Sequence, residues 1–397
     1  MSSAKKYTTT IFTLCLITTI LLVSVAQAGP REQAKRLHDR LAGIPPTATI
    51  LNEMEAKISE GNANEAALIA IENSAFYNVT LKNFVTPWTN EAQTVFAPLN
   101  DYTATVIGMV RDDIPFNQLL SADILYIGKS DLGIPAYSIN NNDHYEALEN
   151  QGIDLKENLI RTTQSSITGL PEEGTAGIIT TRAAARAFFI DGTNRAMFRF
   201  TLLNHLCTDL EQIKDNTRPT DRIRQDVSRS PGGDSRIFMN SCVGCHAGME
   251  PLTQAYAYYD FQYDSNSDPE GESGNLVYTP GNVQAKYLIN ASNFKYGFAT
   301  PDDRWDNYWR KGPNAFLGWD NALSGSGKGA KSMGQELANS DAFASCQVEK
   351  VFKATCFRTP GSSADFDKIS EMTQTFKADN YNLKQVFIDS AVYCMGE

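Results

Sequence analysis

One stretch of the chain, Cys242-Val243-Gly244-Cys245-His246, has residue types and a spacing that could do chemistry. C-x-x-C-H is the attachment pattern of a c-type haem: two thiols add across the porphyrin vinyl groups, and the next residue offers its imidazole to the iron. Cysteines three apart share one side of a helical turn, which matches two pyrrole edges. Two other chemistries use part of the pattern. A zinc site wants a second Cys/His pair at similar spacing, and His38, His144 and His205 have no such partner. A thioredoxin-like pair sits between a strand and a helix, whereas Arg236 to Ser241 reads as a helical or irregular lead-in. The sequence therefore predicts one covalent haem c on Cys242, Cys245 and His246.

What fills the other face of the iron decides between carrying electrons and catalysing a reaction. Met249 follows His246 by three residues on the same side of the ring, so it cannot reach across. Small cytochromes c take a distal Met from a loop just before the C-terminal helix. By that analogy Met333, in Gly329-Ala330-Lys331-Ser332-Met333-Gly334, is the candidate sixth ligand. His205 and an open face are the alternatives. Among Leu202, Leu203 and Leu206, His205 reads first as a satisfied core group. His144, in Asn142-Asp143-His144-Tyr145, reads as a solvated loop residue.

The chain opens with Lys5-Lys6, an apolar run from Ile11 to Val25, and Ala26-Gln27-Ala28 before Gly29. This is the pattern of a secretory leader with an A-x-A cleavage site. Beyond Gly29 no run approaches eighteen uninterrupted apolar residues, so no membrane span is expected. Export and c-type haem agree with each other, and together they point to the bacterial periplasm, with a haem-ligation machinery as a partner during maturation. The formal charge of −11 argues against nucleic acid and against an anionic membrane, and it suits docking to a basic redox protein.

The elements around the motif read as mainly α: a cytochrome-c-like haem module embedded in a larger multi-helical protein with long irregular loops. Residues 29–178 form an N-terminal helical and irregular part, with helices over 31–41, 50–58 and 64–71 and a further amphipathic stretch over 101–110. Residues 127–178, rich in Gly, Asn, Asp and Ser, read as irregular. A helical and haem-attachment module follows over 179–265. Thr193 is placed to cap a helix running to about Ile213, with Phe198, Leu202 and Leu206 on one face. Ten Lys/Arg stand against seven Asp/Glu between 181 and 236, to be used on haem propionates or as a solvated face. An aromatic-rich irregular insertion spans 266–331. The turn Asp264-Ser265-Asn266-Ser267-Asp268 starts like a calcium loop but lacks its Gly and its twelfth-position Glu, so it reads as a surface turn. Residues 332–397 read as three helices, with Ser362 and Asp365 as a capping box and Asn382 as a cap.

Cys207, Cys346, Cys356 and Cys394 are left for disulfides. Cys346 and Cys356 lie ten apart in one helix, about 15 Å at helical rise, beyond the ~5.5–6 Å a bridge spans. In an up-down-up arrangement Cys394 comes beside Cys356, leaving Cys207 for Cys346.

The run Ala247-Gly248-Met249-Glu250-Pro251-Leu252 and the later Tyr258-Tyr259-Asp260-Phe261 resemble the haem module of the planctomycete-type cytochrome c proteins. That module reads C-x-x-C-H, two residues, then M-D-P-L-G and an aromatic-Asp pair. Here Glu250 stands in place of the Asp and Thr253 in place of the Gly. Gln335-Glu336-Leu337-Ala338 and the helices after it are similar to that family's C-terminal helical module. The likeness covers the second half well and residues 95–180 weakly. It implies a mostly α fold and a covalent haem, without settling a role.

Three functions fit these residues. The first is a periplasmic monohaem cytochrome passing single electrons to a redox partner. The second is a haem enzyme of peroxidase or oxidase type acting on a small exported substrate. The third is a non-catalytic binding or assembly protein with a haem module. One haem motif is what a carrier needs, whereas dihaem peroxidases carry two, so a carrier is expected ahead of an enzyme; no Ser/His/Asp grouping, phosphate-cradling loop or zinc-protease motif is present.

Overall fold

A computed structural model describes residues 28–396; the expected leader lies outside them, except Ala28. The protein is mainly helical, with three two-stranded antiparallel sheets among the described residues. At the N-terminal end, Pro30–Ala42, Ala48–Ser59 and Ala63–Ile71 form the expected helices. Proline at the first turn and Gly43 at φ 73 bound the first of them, since only glycine takes that left-handed cap freely.

The C-terminal helices Asp341–Cys356, Ser363–Ala378 and Leu383–Cys394 close back onto that end. Phe387 meets Phe76 and Phe84 edge to face at 5.3 and 5.2 Å, a favoured aromatic geometry. The Arg40 guanidinium donates to the Cys394 carbonyl, where a helix C-terminus carries partial negative charge. One hydrophobic cluster runs from Ala34 to Cys394, so the segments drawn from the sequence share a core. Ser362 and Asp365 do form a capping box, and Asn382 accepts from the Gln385 amide. Both expected disulfides are present, Cys207–Cys346 with Cα atoms 5.3 Å apart and Cys356–Cys394 with 5.5 Å.

Several expectations need correction. Residues 127–178 are not featureless: Leu125–Gly128 pairs with Leu159–Thr162, and Asp143–Asn150 is a helix. His144 lies on that helix with 4% of its surface exposed, Nδ1 against the Pro135 carbonyl and Nε2 accepting from the Gly128 amide. It ties a helix to a strand and is no solvated loop residue. The 101–110 stretch is buried on every side, so its pattern is that of a central helix. The second helical block ends at His205, not near Ile213, and Cys207 leaves it at φ 52 to reach its disulfide partner. Thr193 caps nothing; Asn194 opens the helix, and the Thr193 hydroxyl accepts from Arg195 and Arg224. Trp305, Trp309 and Trp319 of the aromatic-rich segment are buried in the main core. In the 264–268 turn, the Asp264 carboxylate is taken up by Ser267 and Asn266. Among the described residues, no helix is long and apolar enough to cross a membrane.

Candidate haem-attachment site

Asp234 accepts from the Arg236 amide and opens a helical lead-in, Ser235–Ile237, that widens into a π-type turn over Phe238–Cys242. The Val243–Thr253 helix continues from it without a break. The widening sits immediately before the motif, where such bulges often mark function. Gly248, two residues past His246, has no side chain because the Trp309 indole occupies its Cβ position. The motif helix is thereby pressed against the main core.

Of the six described cysteines, four are paired and Cys242 and Cys245 are free. Both are half-buried. Cys245 Sγ lies 3.5 Å from the Leu210 carbonyl, and burial, with Glu211 nearby, pushes its thiol up. A disulfide-exchange cysteine needs the opposite shift. No group of three or more His, Cys, Asp or Glu is gathered for a bare metal ion among the described residues.

His246 Nδ1 lies 2.6 Å from Glu250 Oε1, one helical turn on. The Glu250 side chain is 0% exposed. Burial works to raise its pKa, but the Arg224 and Arg195 guanidiniums and His246 overcome that and hold it well below the usual carboxylate range. An ionised carboxylate only accepts hydrogen bonds, so Nδ1–H is the donor and Nε2 is the nitrogen left for another partner. Metal-ligating histidines are oriented in this way, with the other ring nitrogen bonded to a carboxylate.

The two guanidiniums are built in from elsewhere. Arg195, at the start of the Arg195–His205 helix, reaches Glu250 at 2.6 Å and grips Asp226 with two bonds of 2.7 and 2.9 Å. Arg224 is buried, donates to Glu250 Oε2 at 2.7 Å, and lies 4.5 Å from the Tyr287 ring centre. Arginines expected to face propionates or solvent are in good part internal struts: Arg182 donates to the Gly274 and Glu272 carbonyls, and Arg222 to Asp306. The role of Glu250 was missed in the sequence, although His246 and Glu250 stand at the i, i+4 spacing that brings helix side chains together.

Around the motif, Cys242 packs on a small cluster of Ile223, Phe238, Val243 and Ala247, separate from the main core. Arg229 lies between the Phe238 and Phe294 rings. Ile237, Met239 and Tyr296 are exposed nearby, Met239 to 57%. Met333 is 0% exposed and packed in the main core, on the Gly329–Ala338 helix.

His205 is buried as a core group. Its Nε2 meets the Tyr102 hydroxyl at 2.8 Å, its Nδ1 has no partner, and Trp88 stands edge-on at 5.4 Å. Burial first, then the charge of Lys350, pushes its pKa well below the ordinary 6.5. The unfolded chain then takes a proton that the folded chain refuses. Stability from this group is complete above pH 6.5 and falls by about 1.4 kcal/mol per pH unit below it. His205→Gln is expected to remove that slope, checked by urea midpoints of both proteins at pH 6.5 and 5. No protein-family model, curated protein or solved structure matches the chain.

Proposed function

We propose that this chain is an exported c-type cytochrome that carries one haem and exchanges single electrons with a protein partner. Cys242 and Cys245 would form the two thioethers, and His246 Nε2 would ligate the iron. The bound haem would supply a one-electron couple. The observation that carries the reading is the division of the cysteines: four close disulfides, and the two left free stand beside an imidazole whose other nitrogen is already committed to a buried carboxylate. The exposed Ile237, Met239 and Tyr296 offer apolar surface to a macrocycle.

Such a protein, matured with a haem-ligation machinery, is expected to give a pyridine haemochrome spectrum of the doubly thioether-linked type. His246→Ala is expected to give an apoprotein or an unstable haem with an altered spectrum. An unchanged spectrum in that variant would remove His246 from the iron. A colourless wild type with two free thiols would remove the haem altogether.

A second reading is a haem enzyme with an open far face. Carbon monoxide or cyanide binding to the resting protein supports it, and a six-coordinate low-spin spectrum unmoved by either supports the carrier.

A further inference from the structure

Resting on the haem reading, we propose that Glu250 is a positioning residue that sets the iron's reduction potential, making His246 a strong donor and holding the haem at low potential. A histidine whose Nδ1–H points at a backbone carbonyl shares its proton with a neutral acceptor. Here the acceptor is a carboxylate gripped by two guanidiniums, at 2.6 Å and with no exposed surface. Hydrogen bonds to charged acceptors are roughly twice as strong as neutral ones, and a low local dielectric strengthens them further. Proton density moves from Nδ1 toward Glu250, the ring gains anionic character, and Nε2 becomes the better σ-donor. A stronger donor stabilises ferric over ferrous iron, because the oxidised ion gains more from the added electron density. Hydrogen bonding behind the axial ligand is one of the levers by which a protein tunes a haem.

The geometry makes the arrangement hard to escape. Glu250 cannot swing away, since Arg195 holds its Oε1 and Arg224 its Oε2. Their positive charge keeps the carboxylate ionised, yet neither is bonded to the histidine. The carboxylate is therefore fixed where its charge bears on His246 directly. Partners fitting such a haem are donors and acceptors that work at low potential.

The test is spectroelectrochemical titration of the matured holoprotein and three variants. Glu250→Gln keeps the shape and removes the charge; it is expected to raise the potential by at least a tenfold change in the reduced-to-oxidised ratio, ~59 mV for one electron. Glu250→Asp keeps the charge between the guanidiniums but withdraws it from the ring by one methylene, and is expected to shift the potential upward by less. Asp226→Asn removes an equal charge that touches Arg195 and not His246, and is expected to shift it least. In parallel, the His246 ring-proton NMR shifts should move away from imidazolate character in Glu250→Gln and stay put in Asp226→Asn. A Glu250→Gln holoprotein with unchanged potential overturns the inference, as does an Asp226→Asn shift equal to it. If Glu250→Gln does not fold, the Glu250→Asp shift decides. A wild type that acquires no haem defeats the underlying reading instead, so the two failures are distinguishable.

Discussion

Glu250→Ala is expected to destabilise the folded chain by about 3–5 kcal/mol, the range found when one partner of a buried ion pair is removed. Arg195 would keep Asp226, with its two bonds of 2.7 and 2.9 Å. Arg224 is the group left stranded. Its Nε would lose the carboxylate, its Nη2 would keep only Thr193, and its Nη1 already has no partner. A buried guanidinium cannot shed its proton to escape the cost. Urea unfolding of wild type and variant measures the loss. Removing both partners, as Glu250→Leu with Arg224→Met, is expected to recover most of it, because no buried charge is then left alone. A single variant within about 1 kcal/mol of wild type would mean that water reaches Arg224.

The second large effect concerns the Cys207–Cys346 bridge. It closes a sequence separation of 139, against 38 for Cys356–Cys394. On a chain-entropy argument the longer loop contributes about 5 kcal/mol and the shorter about 4. Replacing both members of each pair with alanine should therefore lower the urea midpoint more for Cys207/Cys346. The long bridge matters to the site as well. It fastens the Asp341–Cys356 helix just past the end of the Arg195–His205 helix, whose first residue holds Glu250. Its removal is expected to loosen that grip, seen as faster amide exchange over 195–205. Equal midpoints in the two double variants would show that strain or residual structure outweighs loop length.

How much of this could be read in the sequence depended on how local the cause was. The N-terminal helices are punctuated by Pro and Gly, the C-terminal ones by Ser362 and Asn382, and their limits follow from the chain nearby. The disulfides were legible because helical rise forbids Cys346–Cys356 and an up-down-up arrangement of the last helices sets Cys394 beside Cys356. His144 was misread because its polar neighbours are local, while what buries it, Gly128 and the Pro135 carbonyl, comes from a strand and a loop that the pattern did not reveal. The early helix end at His205 is also tertiary, imposed where Cys207 turns left-handed toward Cys346. Glu250 was noticed only as a departure from a motif. Its meaning depends on Arg195 and Arg224, 55 and 26 residues away, converging on it, and no periodicity announces a convergence of that kind.

The docking of the last helix on the first has a consequence for the order of events in a growing chain. Arg40 bonds the carbonyl of Cys394, 354 residues later, and Phe387 fills the gap between Phe76 and Phe84. A polypeptide that emerges from its amino end cannot complete this interior until its final turn is out, since contacts so far apart in sequence form late. Residues 242–246 emerge well before that. They are thus presented on a scaffold whose interior is still open, on a helix that packs through Gly248 against the Trp309 indole.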